Sequence, residues 1–144
     1  MYDEITKPWH YGWHPSGVEA KEVTDDLPRW LGDAITYIWR RNHKGQPVTD
    51  RLKAIERLNE ATPERFRALQ AVLTGRMIKT MDKVVVGPDA VLCDAITLVQ
   101  EARLGTSYYH IWQTYLDQLK ADLQAELDEL TAKETRTPTI YEEQ

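Results

Sequence analysis

Apolar residues along this chain recur at intervals of three and four rather than two, which predicts helices. Trp30, Leu31, Ala34, Ile35, Ile38 and Trp39 form the broadest stripe. Their helix opens with Pro28 at its first position and ends near Asn42, ahead of the turn residues Lys44-Gly45-Gln46-Pro47. Before it, Ser16-Gly17-Val18-Glu19 has capping-box spacing and predicts a short helix from Ser16 to about Asp26. Thr49 is expected to cap a third helix with Leu52, Ile55 and Leu58 as its stripe. Thr62-Pro63-Glu64 starts a fourth carrying Phe66, Leu69, Leu73 and Met77. Pro88 opens a fifth that stops at Gly105, and Thr106 or Ser107 caps a sixth.

The sixth helix is the longest, with a seam of Trp112, Leu116, Leu119, Leu123, Leu127 and Leu130. That is about two and a half heptads, short of a coiled coil, yet long enough to favour packing against a second copy. Val84-Val85-Val86-Gly87 is the one strand-like run, and four residues make no sheet alone. The expected fold is therefore all-α, with about six helices, an aromatic N-terminal loop, a long C-terminal helix and a homo-oligomeric state. Residues 1–60 carry the chemistry, 61–133 form a helical packing or oligomerisation region, and 134–144 read as a disordered acidic tail.

Composition adds a bias and several exclusions. The rings comprise one Phe, five Trp and seven Tyr, which suits polar-handled contacts in cores, interfaces or ligand pockets. Those of residues 1–15 crowd a loop broken by Pro8, Gly12 and Pro15, either pinned to a core or built around a ligand. The single Cys93 excludes an internal disulfide and a cysteine-rich zinc site, and its apolar surroundings predict a structural thiol. A signal peptide and a membrane-spanning run are both missing, so a cytoplasmic protein is expected.

Net charge is −5, unevenly spread: residues 28–58 carry seven Lys/Arg against three acids, while residues 115–144 carry three against eight. A basic region in an acidic protein points to a local anionic ligand rather than a nucleic-acid track. A helix-turn-helix reading of the second and third helices is weakened by the long Lys44-to-Pro47 connection.

Phosphate-loop, dinucleotide, zinc-helix and serine-elbow motifs are absent. In order, however, the chain presents Lys7-Pro8-x-His10-Tyr11, Gly17-Val18-Glu19-Ala20-x-Glu22-Val23, Leu31-Gly32-Asp33-Ala34-x-x-Tyr37-x-x-Arg40, Lys44-Gly45 and Asp50-x-x-Lys53-Ala54. Over residues 7–60 this order resembles a small bacteriophage family of largely unknown function, one branch of which phosphorylates deoxynucleoside monophosphates. The family reads Gly-Asn-Ala where this chain has Gly32-Asp33-Ala34, and Arg-Ala-Gly where it has Arg40-Arg41-Asn42.

The resemblance implies a kinase of nucleotide metabolism acting in an infected host cell, with ATP as phosphate donor and Mg2+ as an optional ion. Phosphoryl transfer rests on positioning and charge stabilisation, so cationic donors are the residues to seek. Arg40, Lys53 and His10 are the catalytic candidates. Tyr11, Tyr37, Arg41, Lys44, Glu19 and Asp50 are the substrate-binding candidates, and no resident metal set is expected. Arg40 suits bidentate phosphate binding, Lys44 and Lys53 act as point charges, and Tyr37 shares a face with Arg40. Each has a structural rival: Arg40 and Arg41 at a helix C-terminus, Lys53 paired with Asp50 or Glu56, and Glu19 as a cap.

Two other functions compete. One is a helical nucleotide pyrophosphohydrolase holding magnesium on Glu19, Glu22 and Asp50. The other is a non-enzymatic protein that sequesters a nucleotide or a host protein.

Overall fold

Threonine, aspartate and proline decide where this chain starts its helices. The computed structural model of the protein describes residues 12–105 and 107–142, with side chains through Glu134. Among them the chain forms seven α-helices and no strand: α1 (Ala20–Thr24), α2 (Arg29–Arg40), α3 (Pro47–Leu58), α4 (Pro63–Val72), α5 (Gly75–Asp82), α6 (Ala90–Gln100) and α7 (Tyr109–Glu142). A π-helical turn, Glu101–Gly105, extends α6 to the expected glycine stop. Thr62 Oγ1 accepts the Arg65 N–H at 3.1 Å, Thr74 Oγ1 the Met77 N–H at 3.2 Å and Asp89 Oδ1 the Leu92 N–H at 3.1 Å. Each cap satisfies one amide that the first turn leaves without an intrahelical partner.

Several sequence boundaries are corrected. The capping box lies three residues later than expected, where the Glu19 N–H donates to Glu22 Oε2 at 2.6 Å. Gly17 sits at φ +82°, a turn conformation that keeps the chain out of the helix until Glu19. The expected fourth helix is two, because Leu73 leaves helical geometry at ψ 134° and Thr74 caps afresh. Val84–Gly87 is a turn, with Val84 buried and Val86 exposed. On α3 the expected stripe holds at Leu58, which is buried, and at Ile55, which packs partly buried against the core, while Leu52 is 50% exposed and Ala54 is buried in its place. The backbone of residues 135–142 continues α7.

α2 is the central element, packed against α1, α3 and α6, while α7 lies along α3 and α6. Trp39, Leu31, Ile35 and Ile38 of α2 are fully buried, as are Trp112 and Leu123 of α7. Each such side chain contributes roughly 1.5–3 kcal/mol of burial. The α7 seam is buried from Trp112 to Leu127, and Leu130 is half-buried. Among the described residues no helix is long and apolar enough to cross a membrane.

Where α2, α3, α6 and α7 meet, the core holds charge. Arg41 is 3% exposed. Its Nη1 and Nη2 donate to Asp89 at 2.7 and 2.8 Å, its Nε donates to Glu126 Oε1 at 2.9 Å, and Nη1 also reaches the Ile38 carbonyl. Arg51 donates to the same Glu126 Oε1 at 2.8 Å and to Asn42 Oδ1 at 2.7 Å. Burial pushes the Asp89 and Glu126 carboxyls up, but the hydrogen bonds and charge of Arg41, joined at Glu126 by Arg51, outweigh it and hold both below their ordinary values.

The described part of the aromatic loop is pinned to this core. Trp13 Nε1 donates to the Trp39 carbonyl at 2.7 Å, and the buried His14 ring packs against the Trp13 and Trp39 rings. Burial lowers the His14 pKa below 6.5, against the raising effect of the Val84 carbonyl and Asp89. Gly87 lies so close to His14 Nε2 that a Cβ there would overlap the ring. Cys93, half-buried, donates to the Gly87 carbonyl at 3.4 Å, and burial raises its thiol, as befits a structural role.

Two predictions follow from these contacts. Asp89 and Glu126 have lowered folded values, so their stabilisation is complete above their ordinary values of 3.8 and 4.5 and is lost as pH falls through the folded ones. His14, also lowered, adds a loss that begins as pH drops below 6.5. Thermal unfolding should therefore show Tm falling from pH 7 to pH 2, with the His14 part beginning below pH 6.5 and the Asp89 and Glu126 part below pH 4.5. Arg41→Met should lower stability by about 3–5 kcal/mol and flatten that acid-side decline. A wild-type Tm unchanged across this range would contradict the assignment. Separately, Gly87→Ala should destabilise by roughly 1–3 kcal/mol in urea unfolding, because the trapped His14 ring must move.

Candidate functional site

The expected site residues separate into three groups once their helices are packed. Tyr37, Arg40 and Asp50 come together. Arg40 Nε and Nη2 lie 3.3 and 3.2 Å from Asp50 Oδ1, and its guanidinium carbon stands 4.7 Å above the Tyr37 ring. The helical spacing of Tyr37 and Arg40 thus places them as expected. Asp50 is fully buried and its Oδ2 has no hydrogen-bond partner among the described residues, while the Arg40 side chain is 13% exposed. One edge of the guanidinium is turned to a carboxylate and one face to an aromatic ring.

The second group does not converge. Lys44 and Lys53 are exposed, the first in the α2–α3 turn and the second on the outer side of α3. The register of α3 sets this, since Asp50, Arg51, Ala54 and Leu58 turn inward and leave Lys53 outside. Arg41, a substrate-binding candidate from the sequence, stands in the buried ion network, where Asp89 and Glu126 together take both of its Nη groups and Nε. Glu19 serves as the N-cap of α1, so its structural rival reading holds. Among the described residues no three of His, Cys, Asp and Glu gather as a metal set, so Glu19, Glu22 and Asp50 do not form the magnesium triad considered above. His10 and Tyr11, the third group, lie outside the described residues.

Two clefts lie at the other end of α2. A cleft of about 650 Å3 between α1 and α2 is lined by Glu19, Ala20, Thr24, Gly32, Asp33 and Thr36, among others. Gly32 lets the two elements approach: a Cβ there would stand 3.1 Å from the Thr24 carbonyl. Arg29 and Asp33 also border a second cleft of about 360 Å3, completed by Trp30, Arg57, Glu60 and Arg65. A third, of about 370 Å3, lies beside the Arg41 network, where Trp13 stacks on His43 at 4.4 Å. Arg40, Lys44 and Lys53 line none of these three clefts.

Arg29 and Arg57, at the two ends of the basic stretch read from the sequence, border the second cleft, and Arg41, in its middle, borders the third. Arg65 was not singled out. The signal for it was the short connection between α3 and α4, which returns the start of α4 to the end of α3.

No family model, no curated protein and no solved structure matches this chain.

Proposed function

We propose that this protein binds deoxynucleoside monophosphates in the cleft between α1 and α2, as a component of phage nucleotide metabolism. One observation carries the reading: Glu19, Ala20 and Gly32, which belong to the motifs resembling the phage family, all line this cleft. Its volume of about 650 Å3 lies within the range of small-molecule sites. Ala20 and Leu27 supply apolar wall, Glu19 and Asp25 accept hydrogen bonds, and Lys21 and Arg29 donate them. That mixture suits a base and sugar with a charged end.

A kinase with ATP as donor and magnesium needs cations over two sets of phosphates. Arg41 and Arg51 are held by Asp89 and Glu126, and Arg40 by Asp50. This internal pairing favours retention of the nucleotide over turnover as the protein's role. The protein is proposed to act in the cytoplasm of the infected host as a homo-oligomer joined through α7, on which Tyr108, Ile111 and Tyr115 are 63%, 42% and 41% exposed just before and along its first turns.

Equilibrium dialysis against a panel of nucleotides, with chromatography of the recovered ligand, tests this reading. Deoxynucleoside monophosphate should be retained unchanged, and Thr36→Trp, which fills the cleft, should abolish retention while circular dichroism stays helical. Arg40→Ala, outside this cleft, should leave retention within about threefold, a change of roughly 0.7 kcal/mol or less. Diphosphate formed in the presence of ATP and magnesium would establish the kinase instead. Retention of no nucleotide would overturn both.

A further inference from the structure

Three helices each turn an arginine toward the smaller of the two adjoining clefts: Arg29 at the start of α2, Arg57 in the last turn of α3 and Arg65 in the first turn of α4. Against these three cations stand two carboxylates, Asp33 and Glu60, which leaves the cleft one positive charge in excess. The carboxylates do not saturate the guanidiniums. Arg29 and Arg57 approach Asp33 Oδ2 at 3.7 and 3.6 Å, beyond hydrogen-bond reach. Arg57 Nη1 donates to Glu60 Oε2 at 3.1 Å, and Arg65 Nη1 donates to Glu60 Oε1 at 3.2 Å and to the Glu60 carbonyl at 2.8 Å. Each guanidinium has five N–H donors, and these hydrogen bonds take one nitrogen of Arg57 and one of Arg65.

The cleft is therefore a set of donors with spare capacity. The side chains of Arg29, Arg57 and Arg65 are 94%, 36% and 46% exposed, so an incoming anion meets them without the protein opening. Solvent-exposed pairs of this kind are weak, and an anion that offers several oxygens displaces them readily. The planar fork of arginine matches the oxygens of a phosphate two at a time. Trp30, 7% exposed, forms a fixed wall behind them.

We infer that the Arg29–Arg57–Arg65 cleft binds a phosphate group, with Asp33 as the residue that limits its affinity. Asp33 faces both Arg29 and Arg57 and borders both clefts, so it stands between the phosphate position and the larger cavity. In placing the phosphate end of a nucleotide there, the inference rests on the proposed nucleotide cleft for the identity of the ligand. The anion site itself stands on the arginines.

Calorimetric titration of the full chain with inorganic pyrophosphate, and separately with a deoxynucleoside monophosphate, tests it. Arg57→Ala and Arg65→Ala should each weaken pyrophosphate binding about tenfold, the scale of one lost charged hydrogen bond. Asp33→Asn should tighten it several-fold. Arg67→Ala, which removes an arginine that pairs with Glu64 outside the cleft, should leave it unchanged. Pyrophosphate affinity insensitive to both arginine substitutions, or equally weakened by Arg67→Ala, would overturn the site. Should the monophosphate bind no better than inorganic phosphate, the nucleotide reading fails and the anion site stands. Should it bind with full affinity to Arg57→Ala and Arg65→Ala, the placement of the nucleotide's phosphate in this cleft is overturned and the nucleotide reading stands.

Discussion

A buried guanidinium has to be paired, and in this protein that requirement fixes how four helices meet. Arg41 follows the last residue of α2, at the point where α6 begins and α7 passes. Stripped of water, its charge is tolerable only with carboxylates in close contact. Asp89 provides one and also caps α6; Glu126 provides the other from the middle of α7 and takes Arg51 of α3 as well. The leucine seam of α7 supplies more burial energy, yet an apolar seam tolerates sliding by a turn far better than a directional salt bridge does. The ion network therefore specifies the register in which the long helix docks, while the seam supplies most of the stabilisation.

The same network divides the arginines of the molecule. At the C-terminal end of α2, Arg40, Arg41 and Arg51 are bound to Asp50, Asp89 and Glu126 and belong to the folded core. At the N-terminal end, Arg29, Arg57 and Arg65 keep donors in reserve beside the open clefts. Arginine donors in reserve accordingly lie the length of one helix from the middle of the basic stretch. Gly32 lets α1 lie close to α2 with the larger cleft between them.

Much of the architecture was legible because it is local. The stripe from Trp30 to Trp39, the seam from Trp112 to Leu127, the Thr62-Pro63 start of α4 and the stop at Gly105 all follow from spacing and cap chemistry, whereas α3 starts at Pro47 rather than behind a Thr49 cap. The misses are places where a neighbour in space overrides a local preference. Ser16 turns to His14 Nδ1 instead of capping a helix, Thr74 breaks a continuous apolar pattern, and Ala54 rather than Leu52 faces the core. At the site, the Tyr37–Arg40 pairing was readable at helical spacing. The commitment of Arg41 was not, because Glu126 lies 85 residues away and Asp89 48. No periodicity joins positions that distant.

The division between committed and available arginines is the central claim, and it is open to direct observation. Arginine Nε–Hε resonances, recorded by nitrogen–proton correlation during a titration with pyrophosphate, report each guanidinium separately. The account predicts that Arg29, Arg57 and Arg65 shift together and saturate with one dissociation constant, while Arg41 and Arg51 stay fixed and protected from solvent exchange. Shifts that begin at Arg41 or Arg51, with the other three unmoved, would contradict it.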